Sequence, residues 1–179
     1  MTSLRTICML LILLSLASCD DQNANSTSQA QQSFDPGMMQ MPSEIDQLQT
    51  NLLANPNDYD LLSALADEYF ESGRYLEAIR TYDAALTVNP MSADCLNDRG
   101  LAYFYVGDAG SAIDSFDKAI ALNPDYPNTW LSKGFVLISE GRYQEAIVPL
   151  NKVKELESVG QLAMEADKFL AIAAENTLR

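Results

Sequence analysis

Apolar residues recur at helical spacing through the middle of the chain, and short polar stretches interrupt them at regular intervals. Leu62, Leu65 and Tyr69 place one apolar stripe on a single helix face. Leu96 and Tyr103 repeat that stripe further along the chain. The pattern predicts three helix pairs, with first helices at 59–72, 93–106 and 127–140 and second helices at 75–87, 109–121 and 143–156.

The chain also matches itself when it is shifted by 34 residues. Gly73, Gly107 and Gly141 keep this step, and so do the prolines Pro90 and Pro124. A period of this length, with small, aromatic and proline positions, resembles the tetratricopeptide repeat, a helix–turn–helix unit that stacks into a solenoid. Further columns with the same step are Ala78, Ala112 and Ala146, and Ile79, Ile113 and Ile147.

The resemblance covers residues 57–158 and implies an all-α fold, a superhelical solenoid of three helix-turn-helix repeats. The flanking segments are expected to cap it, as an N-terminal half-repeat helix and a C-terminal helix, because the end units of a solenoid need a polar outer face. The expected units are the capping helix 43–56, the repeats 57–90, 91–124 and 125–158, and the capping helix 159–179.

The residue types at several repeat positions can be explained by the local structure that the repeat requires. The three glycines just past the first helices are expected to take positive φ, which ends a helix at little steric cost. Ala66, Gly100 and Gly134 are expected to be small because two helices cross there.

Ser43, three residues before Asp46, predicts the start of the N-terminal capping helix. Pro149 falls inside the last second helix, where we expect a bend. On the C-terminal helix, the expected apolar face is Leu162, Ala166, Phe169, Leu170 and Ala173.

The N-terminus has the composition of a targeting segment. Residues 1–18 combine one basic residue with an apolar run that is too short to span a bilayer, which is typical of a signal peptide. The motif Leu16-Ala17-Ser18-Cys19 resembles the lipobox of bacterial lipoproteins, which implies lipidation of Cys19. The alternative is an ordinary signal peptide that is cut elsewhere. Residues 19–42 are polar and predict a flexible linker after the anchor.

These features predict a lipoprotein of a bacterial cell membrane whose repeat domain lies on the periplasmic, extracytoplasmic side. Asp20 and Asp21, directly after Cys19, resemble the inner-membrane retention signal of enterobacterial lipoproteins, and this resemblance mildly favours the inner membrane over the outer one. The membrane is therefore expected as a partner through the lipid anchor.

Charge and composition exclude several classes of function. The formal net charge is −14, from 25 acidic and 11 basic residues, so a nucleic-acid partner is not expected. The chain has no histidine, and we expect no catalytic residues, no metal site and no cofactor. Cys95 is expected to be buried. The acidic pairs Asp94 and Asp98, and Asp114 and Asp117, are interpreted as solvated helix faces.

In the family that this chain resembles, the first helix of each repeat lines a concave binding face. An acidic and apolar face of this kind favours a protein or peptide partner with apolar anchors and basic groups. The basic residues with which some members bind a peptide carboxylate are missing. The expected face is Asp60, Asp67, Phe70, Glu71, Asp94, Asn97, Leu101, Phe104, Tyr105, Asn128, Leu131, Phe135 and Ile138.

Three other readings stay open at this point. In the first the C-terminal helix fills the groove. In the second another copy of the chain fills it, and the protein is a self-associating structural subunit, a homo-oligomer. A third reading is a non-catalytic accessory regulator of an envelope enzyme. The leading prediction is a lipid-anchored scaffold that binds proteins through its concave face.

Overall fold

The computed structural model describes residues 42–177, and this part of the chain is folded as successive α-helices without strands. The predicted signal peptide, Cys19 and nearly all of the linker lie outside the described residues. The helices are α1 (Glu44–Ala54), α2 (Tyr59–Glu71), α3 (Tyr75–Val88), α4 (Ala93–Tyr105), α5 (Ala109–Leu122), α6 (Pro127–Ser139), α7 (Tyr143–Leu156) and α8 (Gln161–Thr177).

Each helix packs on the helices next to it in sequence, and the first helices of successive repeats also touch. The pairs α2–α3, α4–α5 and α6–α7 are the three predicted repeats. The all-α solenoid is therefore confirmed, and each predicted helix boundary within the repeats agrees with the structure to within one residue. A helix closes the array at either end, as expected.

The turn inside each repeat is built on a glycine with positive φ. The φ angles are 75° at Gly73, 87° at Gly107 and 71° at Gly141, which confirms the role predicted for them. In the first turn the amide of Gly73 donates to the carbonyl of Phe70 at 3.0 Å. The same pairing of amide and carbonyl recurs at the other two glycines, so one turn geometry sets the angle between the helices of every repeat.

Small residues mark the places where the two helices of a repeat cross. A Cβ atom added at Gly100 on α4 would lie 2.6 Å from the Phe116 ring on α5. At Gly134 on α6 an added Cβ would collide in the same way with the side chain of Leu150 on α7. Ala66 is fully buried in the first repeat. These residues are small because the facing side chain occupies the space that a larger one would need.

The ends of the solenoid are capped differently. At α1 the Ser43 side chain accepts a bond from the amide of Asp46, and the Asp46 side chain accepts one from the amide of Ser43, which confirms the predicted helix start. None of the residues in α1 is buried. At the other end α8 packs on both α6 and α7 and buries three alanines. The helix α7 runs through the buried Pro149 without interruption.

Candidate protein-binding groove

The first helices α2, α4 and α6 lie side by side, and we call the surface they form the first-helix groove. Every residue predicted for the binding face lies on one of these three helices, but their accessibility differs. Three of them are exposed, namely Asp60, Glu71 and Asp94. Eight are half-buried, namely Asp67, Phe70, Leu101, Phe104, Tyr105, Asn128, Phe135 and Ile138.

The remaining two predicted residues are buried, which corrects their expected place on an accessible face. Asn97 is 2% exposed and Leu131 is 7% exposed. Leu131 packs in the core between the third repeat and α8, together with Leu137 and Leu150. Neither side chain offers a contact surface to a partner in this structure. Sequence spacing placed them on the inner side of the helix but did not show how closely the next element covers them.

Six aromatic rings form a continuous series, here called the aromatic ladder. Phe70 contacts Tyr105 across the first repeat boundary, with ring centroids 5.6 Å apart. Phe104 contacts Phe135 across the second boundary at 5.2 Å. The remaining links join Phe70 to Tyr75, Tyr75 to Tyr105, Phe104 to Tyr105 and Phe135 to Phe169. The ladder therefore lines the groove across all three repeats.

The rings are packed more tightly than the sequence suggested. Phe104 and Phe135, which the sequence placed on an accessible binding face, are both half-buried against the core around Ala112, Phe116 and Val136. Truncating either ring would therefore also remove core packing. Large rings that bury one face and expose another are typical of binding surfaces that are rigid before the partner arrives.

The C-terminal helix covers one end of the groove. Phe169 of α8 lies 5.6 Å from Phe135, measured between ring centroids. Ile138 packs in the same cluster as Leu162, Phe169 and Leu170. The alternative in which α8 fills the groove end is thus realised at the third repeat. The accessible part of the groove is centred on the first two repeats.

Three carboxylates from two repeats meet at the N-terminal part of the groove, and we call Asp67, Asp94 and Asp98 the acidic cluster. Asp67 accepts a 2.7 Å hydrogen bond from the hydroxyl of Tyr82. Asp98 accepts a 3.0 Å hydrogen bond from the Asn97 amide. Asp94 is exposed, whereas Asp67 and Asp98 are half-buried. The cluster is built across a repeat boundary, with Asp67 on α2 and the other two on α4.

The electrostatics of the acidic cluster reflect burial first and the closeness of like charges second. Burial, together with the negative charges of Asp67 and Asp94, raises the pKa of Asp98 to about 7, while the Asn97 hydrogen bond acts in the opposite direction. Burial and the same carboxylates also raise the pKa of Tyr82. The interpretation of Asp94 and Asp98 as a solvated face is therefore wrong for Asp98. Burial is the largest cause of this shift, and the charge of Asp67, which is distant in sequence, is the second.

A neighbouring tyrosine extends this polar region toward the third repeat. Tyr126, just before α6, accepts a 3.0 Å hydrogen bond from the Asn128 amide. Burial raises the pKa of Tyr126, and the charges of Asp94 and Asp98 contribute in the same direction. Asn128, which the sequence placed on the binding face, therefore adjoins the acidic cluster through Tyr126.

The other groups with candidate chemistry are structural. Cys95 is 1% exposed, as predicted, and burial raises its pKa to about 12, so the thiol is an inert core group. The second acidic pair, Asp114 and Asp117, matches its interpretation as a solvated face, since both carboxylates are exposed and Asp117 pairs with Lys133.

Among residues 42–177, no set of three or more acidic, cysteine or histidine residues is placed to hold a metal ion. None of the helices described is long and apolar enough to cross a membrane.

Several solved structures share this architecture. The first repeat domain of Spaghetti (RPAP3), bound to the HSP90 peptide SRMEEVD, is 25% identical with a TM-score of 0.63, over 68% of this chain and 94% of that one. The human RPAP3 domain is also 25% identical with a TM-score of 0.63, over 69% and 94%. A crystal structure of MamA is 26% identical with a TM-score of 0.61, over 74% and 86%.

No curated protein matches the chain significantly. The family model described as tetratricopeptide repeat does match, in two overlapping stretches at residues 63–127 and 97–155. Together these stretches cover more than half of the chain and coincide with the three helix pairs of the structure. The chain belongs to the tetratricopeptide repeat family.

Proposed function

We propose that this protein is a lipid-anchored scaffold that binds a segment of a partner protein in its first-helix groove and so assembles or organises a bacterial envelope complex. The observation that carries the proposal is the aromatic ladder, because it places half-buried rings along the accessible part of the groove. Aromatic anchors of this kind supply most of the affinity in protein interfaces, and surrounding charges set mainly the rate of association.

The relatives support a peptide as the ligand class. The Spaghetti (RPAP3) domain is described as bound to a heptapeptide, and it is similar to this chain over 94% of its own length. A groove of stacked first helices is the surface that the two proteins share by fold. Proteins with extended or helical segments that carry apolar anchors are therefore the partner class that we assign to this groove.

The membrane attachment rests on the sequence motif that ends at Cys19. Acyl chains contribute about 0.8 kcal/mol for each buried CH₂ group, and more than one chain gives stable anchoring. The net charge of −14 disfavours binding of the domain itself to anionic lipid, so the covalent anchor is the source of attachment in this proposal.

Photo-crosslinking in cells tests the groove. A photoreactive amino acid at Leu101 or Asn128, both half-buried in the groove, should crosslink a defined partner protein. The matched control is Leu76, which is 59% exposed on the second helix α3. Crosslinks from Leu76 but not from the groove would move the binding surface to the opposite face. Crosslinks between two copies of this chain would identify the self-associating alternative instead.

A further inference from the structure

The two ends of the helical array are incomplete in complementary ways. The helix α8 begins one 34-residue step after the last first helix, in the series Tyr59, Ala93, Pro127 and Gln161. The helix α1 ends one such step before the first of the second helices, in the series Ala54, Val88, Leu122 and Leu156. By its position in the repeat, α1 is therefore a second helix that lacks a first, and α8 is a first helix that lacks a second.

The open side of α1 leaves a core position of the repeat partly exposed. Leu48 lies one step before Tyr82, and the equivalent residues in the complete repeats, Tyr82, Phe116 and Leu150, are at most 1% exposed. Leu48 packs against the core of the first repeat, yet it stays half-buried. Its remaining surface lies where the first helix of its own repeat would pack.

The sequence before α1 is a poor match to that absent helix. One step before α2, the chain has Ser28 and Gln31 at the positions that correspond to Leu62 and Leu65, and Pro36 falls in the same stretch. A first helix needs an apolar stripe, and proline disfavours a helix interior. A helix that completes the repeat of α1 is therefore expected from another chain.

The outer side of α8 has the corresponding exposed core position. Met164 lies one step after Trp130 and two steps after the buried Leu96, but it is 63% exposed. Among the described helices, α8 packs on α6 and α7, and its outer side also exposes Ala171. An end helix of a solenoid usually has a polar outer side, so an exposed Met164 points to a further contact.

The helix-crossing positions of the two ends carry opposite charges. Inside the repeats these positions are small, because the buried residues Gly134 and Ala78 let two helices approach. Lys168 lies one step after Gly134, and Glu44 lies one step before Ala78. Both charged side chains are exposed. Lys168 pairs with Glu165 on its own helix, and an exposed pair of this kind is easily exchanged for another.

We propose that α8 of one copy docks on the open side of α1 of the next copy, so that the two half-repeats form one helix pair. Met164 then covers the exposed part of Leu48 and Leu52. The methylene chain of Lys168 lies on Leu48, and its ammonium group pairs with the Glu44 carboxylate. This inference does not depend on what the first-helix groove binds.

The contact joins different surfaces of the two copies, so it can repeat in one direction and extend the solenoid from copy to copy. A contact of one helix with one helix is small, and it therefore requires a high local concentration of the protein. The full chain in its own cell provides the conditions for the test. The first-helix groove remains open in every copy of such an array.

Photo-crosslinking between differently tagged full-length copies tests the contact. A photoreactive amino acid at Met164 should crosslink to the other copy, and mass spectrometry should place the crosslink within α1. The control position is Leu76 on α3, which is 59% exposed and lies outside the proposed contact, and it should give no crosslink to α1. A two-fold dimer would instead join α8 to α8.

Charge reversal tests the pairing of Lys168 with Glu44. The variants Lys168→Glu and Glu44→Lys should each reduce the crosslink from Met164 by about tenfold, because like charges then meet. The double variant should restore it, whereas separate effects on the two helices would add. Lys118→Glu and Asp114→Lys make the same charge changes at exposed positions of α5 and should leave the crosslink unchanged. Circular dichroism of each variant checks that the helices are retained.

Three results would overturn the contact between α8 and α1. They are the absence of a crosslink from Met164 to a second copy, a crosslink from Met164 to α8 of that copy, and a folded double variant that crosslinks as weakly as the single variants. Crosslinking from Leu101 measures the groove separately. A partner crosslinked from Leu101 without a copy crosslinked from Met164 supports the proposed function and rejects the array, and the reverse result rejects the proposed function alone.

Discussion

The hydroxyl of Tyr82 donates a 2.7 Å hydrogen bond to Oδ1 of Asp67. Tyr82 is 1% exposed on the second helix of its repeat, whereas Asp67 belongs to the groove. Burial and the nearby carboxylates raise the pKa of Tyr82, so the phenol stays protonated and acts as a donor. A core side chain therefore sets the orientation of a groove carboxylate.

Tyr82→Phe should reduce the free energy of unfolding by about 1.5–3 kcal/mol, because it removes the hydrogen bond that the Tyr82 hydroxyl donates to the charged Asp67 carboxylate. Urea denaturation of the isolated domain measures this change. Tyr143→Phe, at a half-buried tyrosine of the third repeat, serves as the comparison and should change stability less. Equal stability of Tyr82→Phe and the parent domain would contradict the role assigned to this bond.

Gly100→Ala should destabilise the domain by roughly 1–3 kcal/mol, because the added Cβ would lie 2.6 Å from the Phe116 ring. Gly110→Ala is the matched control. Gly110 lies on α5, and the nearest atom to its added Cβ is 3.5 Å away. Since alanine favours a helix over glycine, this control should be neutral or up to about 1 kcal/mol more stable. Thermal melts that rank the two variants the other way would disprove the crossing at Gly100.

Asp98 should make the domain more stable at about pH 5 than at about pH 8. Its pKa is raised from 3.8 to about 7 in the folded protein, so between these values the folded state binds more protons than the unfolded state. The free energy of unfolding then falls as the pH rises through this window. Asp98→Asn should remove this contribution and raise stability at about pH 8 by on the order of 1 kcal/mol.

The matched variant for this pH series is Asp114→Asn, which changes the net charge by the same amount at an exposed position. Urea denaturation at both pH values should show the parent slope in Asp114→Asn and a smaller slope in Asp98→Asn. The same pH dependence in all three proteins would mean that Asp98 titrates in its ordinary range.

Phe104→Ala should weaken binding of the partner by on the order of 2 kcal/mol, mostly through faster dissociation. It should also lower the free energy of unfolding, because the ring packs against the core near Phe116. Phe104→Leu keeps most of that packing and separates the two effects. If Phe104→Leu is folded and binds the crosslinked partner with unchanged dissociation, the ladder is structural and not a binding surface.

Cys19→Ser should abolish lipidation and leave unprocessed or soluble protein, since the lipid would be attached to that sulfur. Metabolic labelling with a fatty acid, followed by membrane fractionation, measures the outcome. Cys95→Ser should keep full labelling, because its sulfur is buried in the second repeat. Normal label in Cys19→Ser would reject the lipoprotein assignment.

The repeat architecture was predictable because it depends on short-range chemistry. Gly73 and its equivalents end helices through a local backbone angle, and Ser43 with Asp46 begins one through a local cap. Both signals lie within a few residues of the feature that they predict. Helix boundaries in the three repeats therefore followed from the sequence to within one residue.

The groove was predicted less well because its environment depends on residues that are distant in sequence. Asp98 appeared solvated next to Asp94, but its pKa is governed largely by burial and by Asp67 of the previous repeat. Leu131 and Ile138 lay on the expected face, yet they pack in the cluster to which α8 contributes. Periodicity indicates which side of a helix faces inward, and it does not indicate what the next element places on it.

The aromatic ladder has a consequence for how the array comes apart. Ring contacts join α2 to α4, α4 to α6 and α6 to α8. Unfolding of any of these later units from the array therefore requires the loss of at least one ring contact. In the described stretch before α2, residues 42–58, there is no such ring contact, and α1 has no buried residue. Since the stability of a repeat array depends on its interfaces, fraying should advance from α1, and amide hydrogen exchange should be fastest there.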